Sequence, residues 1–195
     1  MACITALRKT GKTAVAVELD GEPWRKLPHA VVLACRLRPG LELDRPHLRH
    51  LRAELRRFEA LDVAGRLLRH RDLATERLEG ELARRNVAPV DRHEAVRALQ
   101  RTGVVDDARL AAARAQSLAE RGYGDEAIRW SLSQAGLPSP CIEEAVESLE
   151  AESDRAREMV EREGPSVRTA RLLVRRGFGE DAVETACPFV AEGGE

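Results

Sequence analysis

Leu82-Ala83-Arg84-Arg85-Asn86-Val87, Leu132-Ser133-Gln134-Ala135-Gly136-Leu137 and Leu173-Val174-Arg175-Arg176-Gly177-Phe178 are three copies of one ending. Each reads as a helix that stops where Asn or Gly takes the left-handed conformation just past the last turn. Each is followed by an acid-Ala-Val step: Glu94-Ala95-Val96, Glu144-Ala145-Val146 and Asp181-Ala182-Val183. The offset to this step is the same in the first two copies. In the third it is four residues less, which predicts a shortened connection. A further helix precedes each ending, at about 58–70, 107–121 and 153–163. Three helices per unit and a period of roughly 40–50 residues are the marks of a helical repeat array.

The first quarter has another rhythm. Ile4 and Ala6, then Val15, Val17 and Leu19, alternate with polar or small residues, which is strand period. Thr10-Gly11-Lys12 and Asp20-Gly21 read as turns, and Glu22-Pro23-Trp24-Arg25 as the start of a third strand. A ribbon of this size needs support from helices. His29–Leu37 reads as a short helix. Asp44 reads as the N-cap of another, with Pro46 in its first turn. The expected fold is mainly α: tandem three-helix repeats in an elongated curved array, with a small N-terminal antiparallel β-ribbon. The expected divisions are 1–57 for ribbon and helices, 58–103, 104–152 and 153–190 (shortened) for the repeats, and 191–195 for a tail.

Composition agrees with helix packing. Aromatics make up 3% of the 195 residues, so the core rests on Leu, Val and Ala. Basic and acidic residues number 32 and 33, which excludes a globally basic nucleic-acid binder but leaves local patches open. The lysines are Lys9, Lys12 and Lys26; every other basic residue is an arginine. Base composition of the genome explains that bias as simply as any function does. Cys3, Cys35, Cys141 and Cys187 are too scattered for a zinc ribbon or redox pair and read as free thiols of a reducing compartment. No signal core or membrane span is legible, so a cytoplasmic protein is expected.

Motifs for chemistry are weak. Ala6-Leu-Arg-Lys-Thr-Gly11-Lys12-Thr13 approaches a phosphate loop, but Ala6 stands where glycine is required and the segment lies between two strands. His47 and His50 share a helix face without a further ligand motif nearby. The carboxylates sit three or four residues from arginines, as on solvated helices. No catalytic residue, metal or cofactor is expected.

Charge is uneven. Arg45–Arg85 holds eleven arginines against seven acids, and Cys141–Glu163 nine acids against three arginines. Pro165–Phe178 holds four arginines and no acid. Charge alone does not separate a binding face from an ordinary solvated helix surface.

Asp106-Asp107-Ala108-Arg109-Leu110-Ala111, Arg121-Gly122-Tyr123-Gly124, then Ile128, Leu132, Gly136 and Ile142-Glu143-Glu144-Ala145 resemble the central repeat of the bacterial regulatory protein RecX family. The resemblance covers about residues 58–190. The first repeat joins it through Ala64, Leu67, Leu68, Leu78, Leu82 and Val87, the third through Arg171, Leu172 and Arg175-Arg176-Gly177-Phe178. It implies a helical array lying in the groove of the RecA–single-stranded DNA filament. There it would block strand exchange, ATPase and co-protease activity or promote disassembly, without catalysis or cofactor of its own. Departures occur at Gln116, Leu118 and Glu120, where basic residues are expected, at Leu110, where an aromatic is, and at Ala74, where a capping serine is. They put strong direct DNA binding in doubt.

The candidate contact residues are Arg84, Arg85, Arg114, Arg121, Arg129, Arg168, Arg171, Arg175 and Arg176. Gly122, Tyr123, Gly124, Gly136, Gly177 and Phe178 are candidate structural residues, with Tyr123 and Phe178 packed inward and Trp24 and Trp130 as surface anchors. The expected partners are the RecA filament and single- or double-stranded DNA, met by a monomer away from membranes. The alternative reading is a helix-turn-helix-like DNA-binding transcription regulator.

Overall fold

The computed structural model describes residues 2–188; the expected tail 191–195 lies outside them. The chain divides into two compact units. The first takes residues up to 70 together with 81–98, the second 71–80 together with the chain from 99 onward.

The first unit holds a four-stranded antiparallel sheet of β1 (Ala2–Thr10), β2 (Ala14–Leu19), β3 (Glu22–Pro28) and β4 (Glu42–Leu43), in the order β3-β2-β1-β4. Leu19 pairs with Glu22 across a two-residue turn, where Asp20 (φ 52°) and Gly21 (φ 87°) are both left-handed. This turn matches the twist of the paired strands. The phosphate-loop-like segment runs along β1 into its hairpin turn, so no helix starts after Gly11 to build a phosphate cradle. Ile4, Val15, Val17 and Leu27 face α1 (His29–Ala34) and α2 (Arg45–Leu68), burying Val31, Val32 and Leu51. β4 escapes sequence reading because two residues carry no period.

Asp44 caps α2, accepting the His47 N–H at 2.8 Å, and that bond holds its carboxyl below the usual range. His47 also meets Asp44 through its ring at 2.6 Å. α2 then continues for 24 residues, through the boundary expected at 57/58. Arg56-Arg57-Phe58-Glu59 contains no cap, glycine or proline that would stop it. α3 (Thr75–Arg84) and α4 (Pro89–Arg101) complete the first set of three helices, and each spans the division between units.

Two more sets follow in the second unit: α5 (Asp107–Glu120), α6 (Asp125–Gln134) and α7 (Ser139–Glu147), then α8 (Glu152–Glu163), α9 (Val167–Arg175) and α10 (Glu180–Ala186). Ala111 and Ala115 of α5 let Ile128, Leu132, Ile142 and Val146 close around them. Ala156, Met159, Leu173, Phe178, Ala186 and Cys187 form the next core. Asn86, Gly136 and Gly177 end the second helix of each set with φ of 59°, 78° and 79°. The residue after each returns a hydrogen bond to Leu82, Leu132 or Leu173.

The third connection is not shortened. Four residues join second to third helix in every set. Asp181-Ala182-Val183 sits one turn early in α10, and Ala186-Cys187 takes the buried place of Ala95-Val96 and Ala145-Val146. Burial raises the thiol pKa of Cys187, Cys35 and Cys141, which keeps them protonated near neutral pH.

Arg121-Gly122-Tyr123-Gly124 is a joint between repeats. The Gly124 N–H donates to Arg176 O at 2.9 Å, and the Glu126 N–H to Gly177 O at 3.1 Å, so the end of α9 abuts the start of α6. A Cβ on Gly124 would lie 2.2 Å from Gly177 O, and one on Gly177 2.6 Å from the Ala127 backbone N. Glu152 spans the joint, accepting the Asp125 N–H at 2.6 Å and the Gly179 N–H at 3.2 Å. Arg155, 9% exposed, donates to Tyr123 O at 2.9 Å and Glu150 O at 3.0 Å and pairs with Asp125. Phe178 is buried beside it, whereas Tyr123 is only half-buried, between the guanidinium groups of Arg121 and Arg176.

The preceding joint follows the same rule. Asp107, opening α5, accepts the Thr75 N–H at 2.9 Å, and Gly136 lies 3.7 Å, by its would-be Cβ, from Arg77 N. The second helix of one repeat is thus capped by an acid that opens the next. α9, with no repeat after it among the described residues, is capped by its own Ser166, which accepts the Thr169 N–H at 3.1 Å.

Gly124→Ala should force the two backbones apart and lower the unfolding free energy by about 1–3 kcal/mol, read by chemical denaturation. Glu152→Ala leaves two helix starts without their acceptor and should cost about 1–2 kcal/mol in the same assay, while a loss near zero would deny it the capping role.

Candidate partner-binding surface

The nine candidate arginines separate by what already engages them. Arg84 and Arg85 both grip the carboxylate of Glu81, each at 2.7 Å. Arg129 donates to Glu143 at 2.9 Å, and that hydrogen bond raises its pKa further. Arg176 is not a free surface cation: its Nη1 donates to Arg121 O at 2.9 Å and reaches Gly122 O at 3.3 Å, closing the carbonyl end of α5. Arg121 is exposed but lies over the Tyr123 ring at 5.5 Å. Arg114 is half-buried on α5 and has no ionic partner among the described residues.

Arg168, Arg171 and Arg175 differ from these. They are exposed, and no described acid pairs with any of them. Positions i, i+3 and i+7 put them on one face of α9, while Thr169, Ala170 and Leu173 turn into the core. The acid-free stretch Pro165–Phe178 is the cause: no carboxylate on that helix reaches them. They line a groove of about 590 Å³ with Ser166, Val167, Thr169 and Leu172; Glu163, at the end of α8, is the one acid on its wall among the described residues and makes no ion pair with any of the three arginines. Desolvated little and held to no partner, these forks suit phosphate or carboxylate oxygens.

Trp130 stands two residues before buried Leu132, as Arg171 stands two before buried Leu173, so both hold the same place in adjacent repeats. Trp130 is 69% exposed, the surface position expected of it, and Trp24 is 37% exposed. Sequence reasoning missed Glu152 and Arg155, because nothing local distinguishes them from the other charges of Cys141–Glu163. Among the described residues no group of His, Cys, Asp and Glu is placed to hold a metal ion, and no helix is long and apolar enough to cross a membrane.

A family profile described as the second three-helix domain of RecX matches residues 106–146, which span α5, α6 and most of α7. A protein of Halorhodospira halophila named Regulatory protein RecX is 33% identical over 144 residues, covering 69% of this chain and 89% of that relative. One of the same name from Deinococcus radiodurans is 31% identical over 149 residues, covering 71% and 72%. Among solved structures, one described as regulatory protein RecX superposes with a TM-score of 0.80 at 18% identity, over 95% of this chain and 98% of that one. RecX from Lactobacillus salivarius gives 0.59 at 16% identity, over 70% and 96%. The profile match and the identity with these curated relatives show that the chain belongs to the RecX family of regulatory proteins.

Proposed function

We propose that the chain binds the RecA–single-stranded DNA filament in the cytoplasm and restrains its strand-exchange, ATPase and co-protease activities. It acts by occupying the filament, with no reaction of its own. Membership of a regulatory family supports the reading, and the unpaired arginine face of α9 is the observation that carries it. A filament of protein and nucleic acid offers both kinds of oxygen that a guanidinium fork recognises: carboxylates of the recombinase and phosphates of the strand. Any phosphate share of the contact releases counterions and weakens as salt rises. Within the second unit, the two sets joined at Gly124 and Gly177 carry the α9 face on a fixed support.

The test is RecA ATPase on single-stranded DNA from a matched species, titrated with the chain. Inhibition is expected at or below equimolar protein, and none at a several-fold excess would overturn the proposal. Sequence-specific binding to duplex DNA in its place would make the chain a transcription regulator. Arg168→Glu, Arg171→Glu and Arg175→Glu together should raise the half-inhibiting concentration about tenfold or more, with melting unchanged; an unshifted curve would move the contact off α9. Arg176→Glu is expected to behave in the opposite way. It leaves carbonyls of Arg121 and Gly122 without their donor, so the melting temperature should fall by several degrees, on the order of 1–2 kcal/mol.

A further inference from the structure

The sheet of the first unit has two faces, and the core uses one. Strand pairing arranges the other in rows. Arg8 pairs with Ala16 and Ala16 with Lys26, so a cation, a methyl group and a second cation lie side by side across β1, β2 and β3. Thr10, Ala14 and Pro28 form the row on one side of it, and Ala6, Glu18 and Pro23 the row on the other. Arg8 and Lys26 are exposed, and none of Ala6, Ala14 or Ala16 joins the core. Two strand spacings separate Arg8 from Lys26, roughly 10 Å, with only alanine between them. The result is a shallow trough along β2, floored by Ala14 and Ala16, flanked by Arg8 and Lys26 and ended by Glu18.

The charge around it is polarised. Lys12 lies in the β1–β2 turn, while Lys9 pairs with Val15 and so belongs to the opposite face of the sheet. The acids Asp20 and Glu22 lie at the other turn, where Asp20 accepts the Cys3 N–H at 2.9 Å. Glu18 is the acid of the open face, and it pairs with Arg8 at 3.3 Å, the Arg8 side chain as a whole being 73% exposed. On the edge strand β3 the register shifts between Val17 and Glu18, and Trp24 is the extra residue. Trp24 is partly exposed, with the Arg25 guanidinium 5.5 Å from its ring.

We propose that this trough binds single-stranded nucleic acid, with the backbone phosphates between Arg8 and Lys26 and a base stacked on Trp24. A cation-walled groove beside an aromatic surface is the combination that holds single strands without reading their sequence. An acidic peptide would satisfy the cations but has no use for the indole. The site is separate from the arginine face of α9 and does not rest on the recombinase reading.

The experiment uses the full chain carrying Trp130→Phe, so that Trp24 is the sole tryptophan. Titration with a 20-nucleotide oligo-dT at low salt should quench Trp24 fluorescence saturably. Arg8→Gln with Lys26→Gln should weaken that binding about tenfold and reduce the slope of log affinity against log salt by about 1.4, two phosphate contacts' worth for a single strand. Ala16→Glu, which fills the trough and adds a negative charge, should weaken it as well. Circular dichroism and melting must match the parent for each variant to count, and two independent variants guard against one that misfolds. The arginine-to-glutamate triple variant of α9 should leave the Trp24 quench in place. Absence of quenching overturns the proposal. So does quenching that neither trough change alters, or equal quenching by polyglutamate of matched charge.

Discussion

The contact on which the repeat architecture depends is a close backbone approach between repeats. The Gly124 and Glu126 N–H groups meet the Arg176 and Gly177 carbonyls, and no side chain fits between them. Those are polar groups that would otherwise be stranded at helix ends, where four donors and four acceptors lack intrahelical partners. Stacking therefore satisfies backbone hydrogen bonding as well as burying apolar surface. Arg155 and Glu152 complete it, the one taking carbonyls and the other N–H groups on the two sides of the same junction. Arg155, Asp125 and Glu152 each have a partner there, so removing any one of them would leave a partly buried group uncompensated.

Arginine does two kinds of work here, and burial tells them apart. Arg155 and Arg176 act as fixed donors to main-chain oxygens, a use that draws on the planar, multi-donor guanidinium and not on net charge alone. Arg168, Arg171 and Arg175 are left to solvent. The composition therefore overstates how much of the basic charge is available to a partner.

Much of the fold was legible because it rests on local signals. Glycine and asparagine at Asn86, Gly136 and Gly177 mark helix ends by a steric rule, and the alternation in β1 and β2 marks strands by a geometric one. Asp44 and Pro46 announced the start of α2. β4 and the boundary at 57/58 depart from the sequence reading for different reasons, one nonlocal and one local. β4 exists because Ala2 and Cys3 offer it a partner, and the boundary at 57/58 dissolved because nothing in the chain interrupts α2. The third acid-Ala-Val step was a coincidence of composition; burial selects Ala186 and Cys187 for that place. Of the surface, the sequence disclosed the acid-free stretch of α9. It had no means to separate Arg175 from Arg176, adjacent residues of one type, because their difference lies in which carbonyls are within reach.

The caps also give the array a direction. Thr75 waits on Asp107 and Asp125 on Glu152, whereas α9 relies on Ser166 from its own turn. The first two repeats thus borrow a cap from their successor, whereas α9, in the third, is capped from its own sequence. On a ribosome, where the N-terminal part of the chain emerges first, the earlier repeats would remain incompletely secured until the later ones have left the exit tunnel. The start of α6 would then wait on α8, which carries Glu152, while α9 brings its own cap in Ser166.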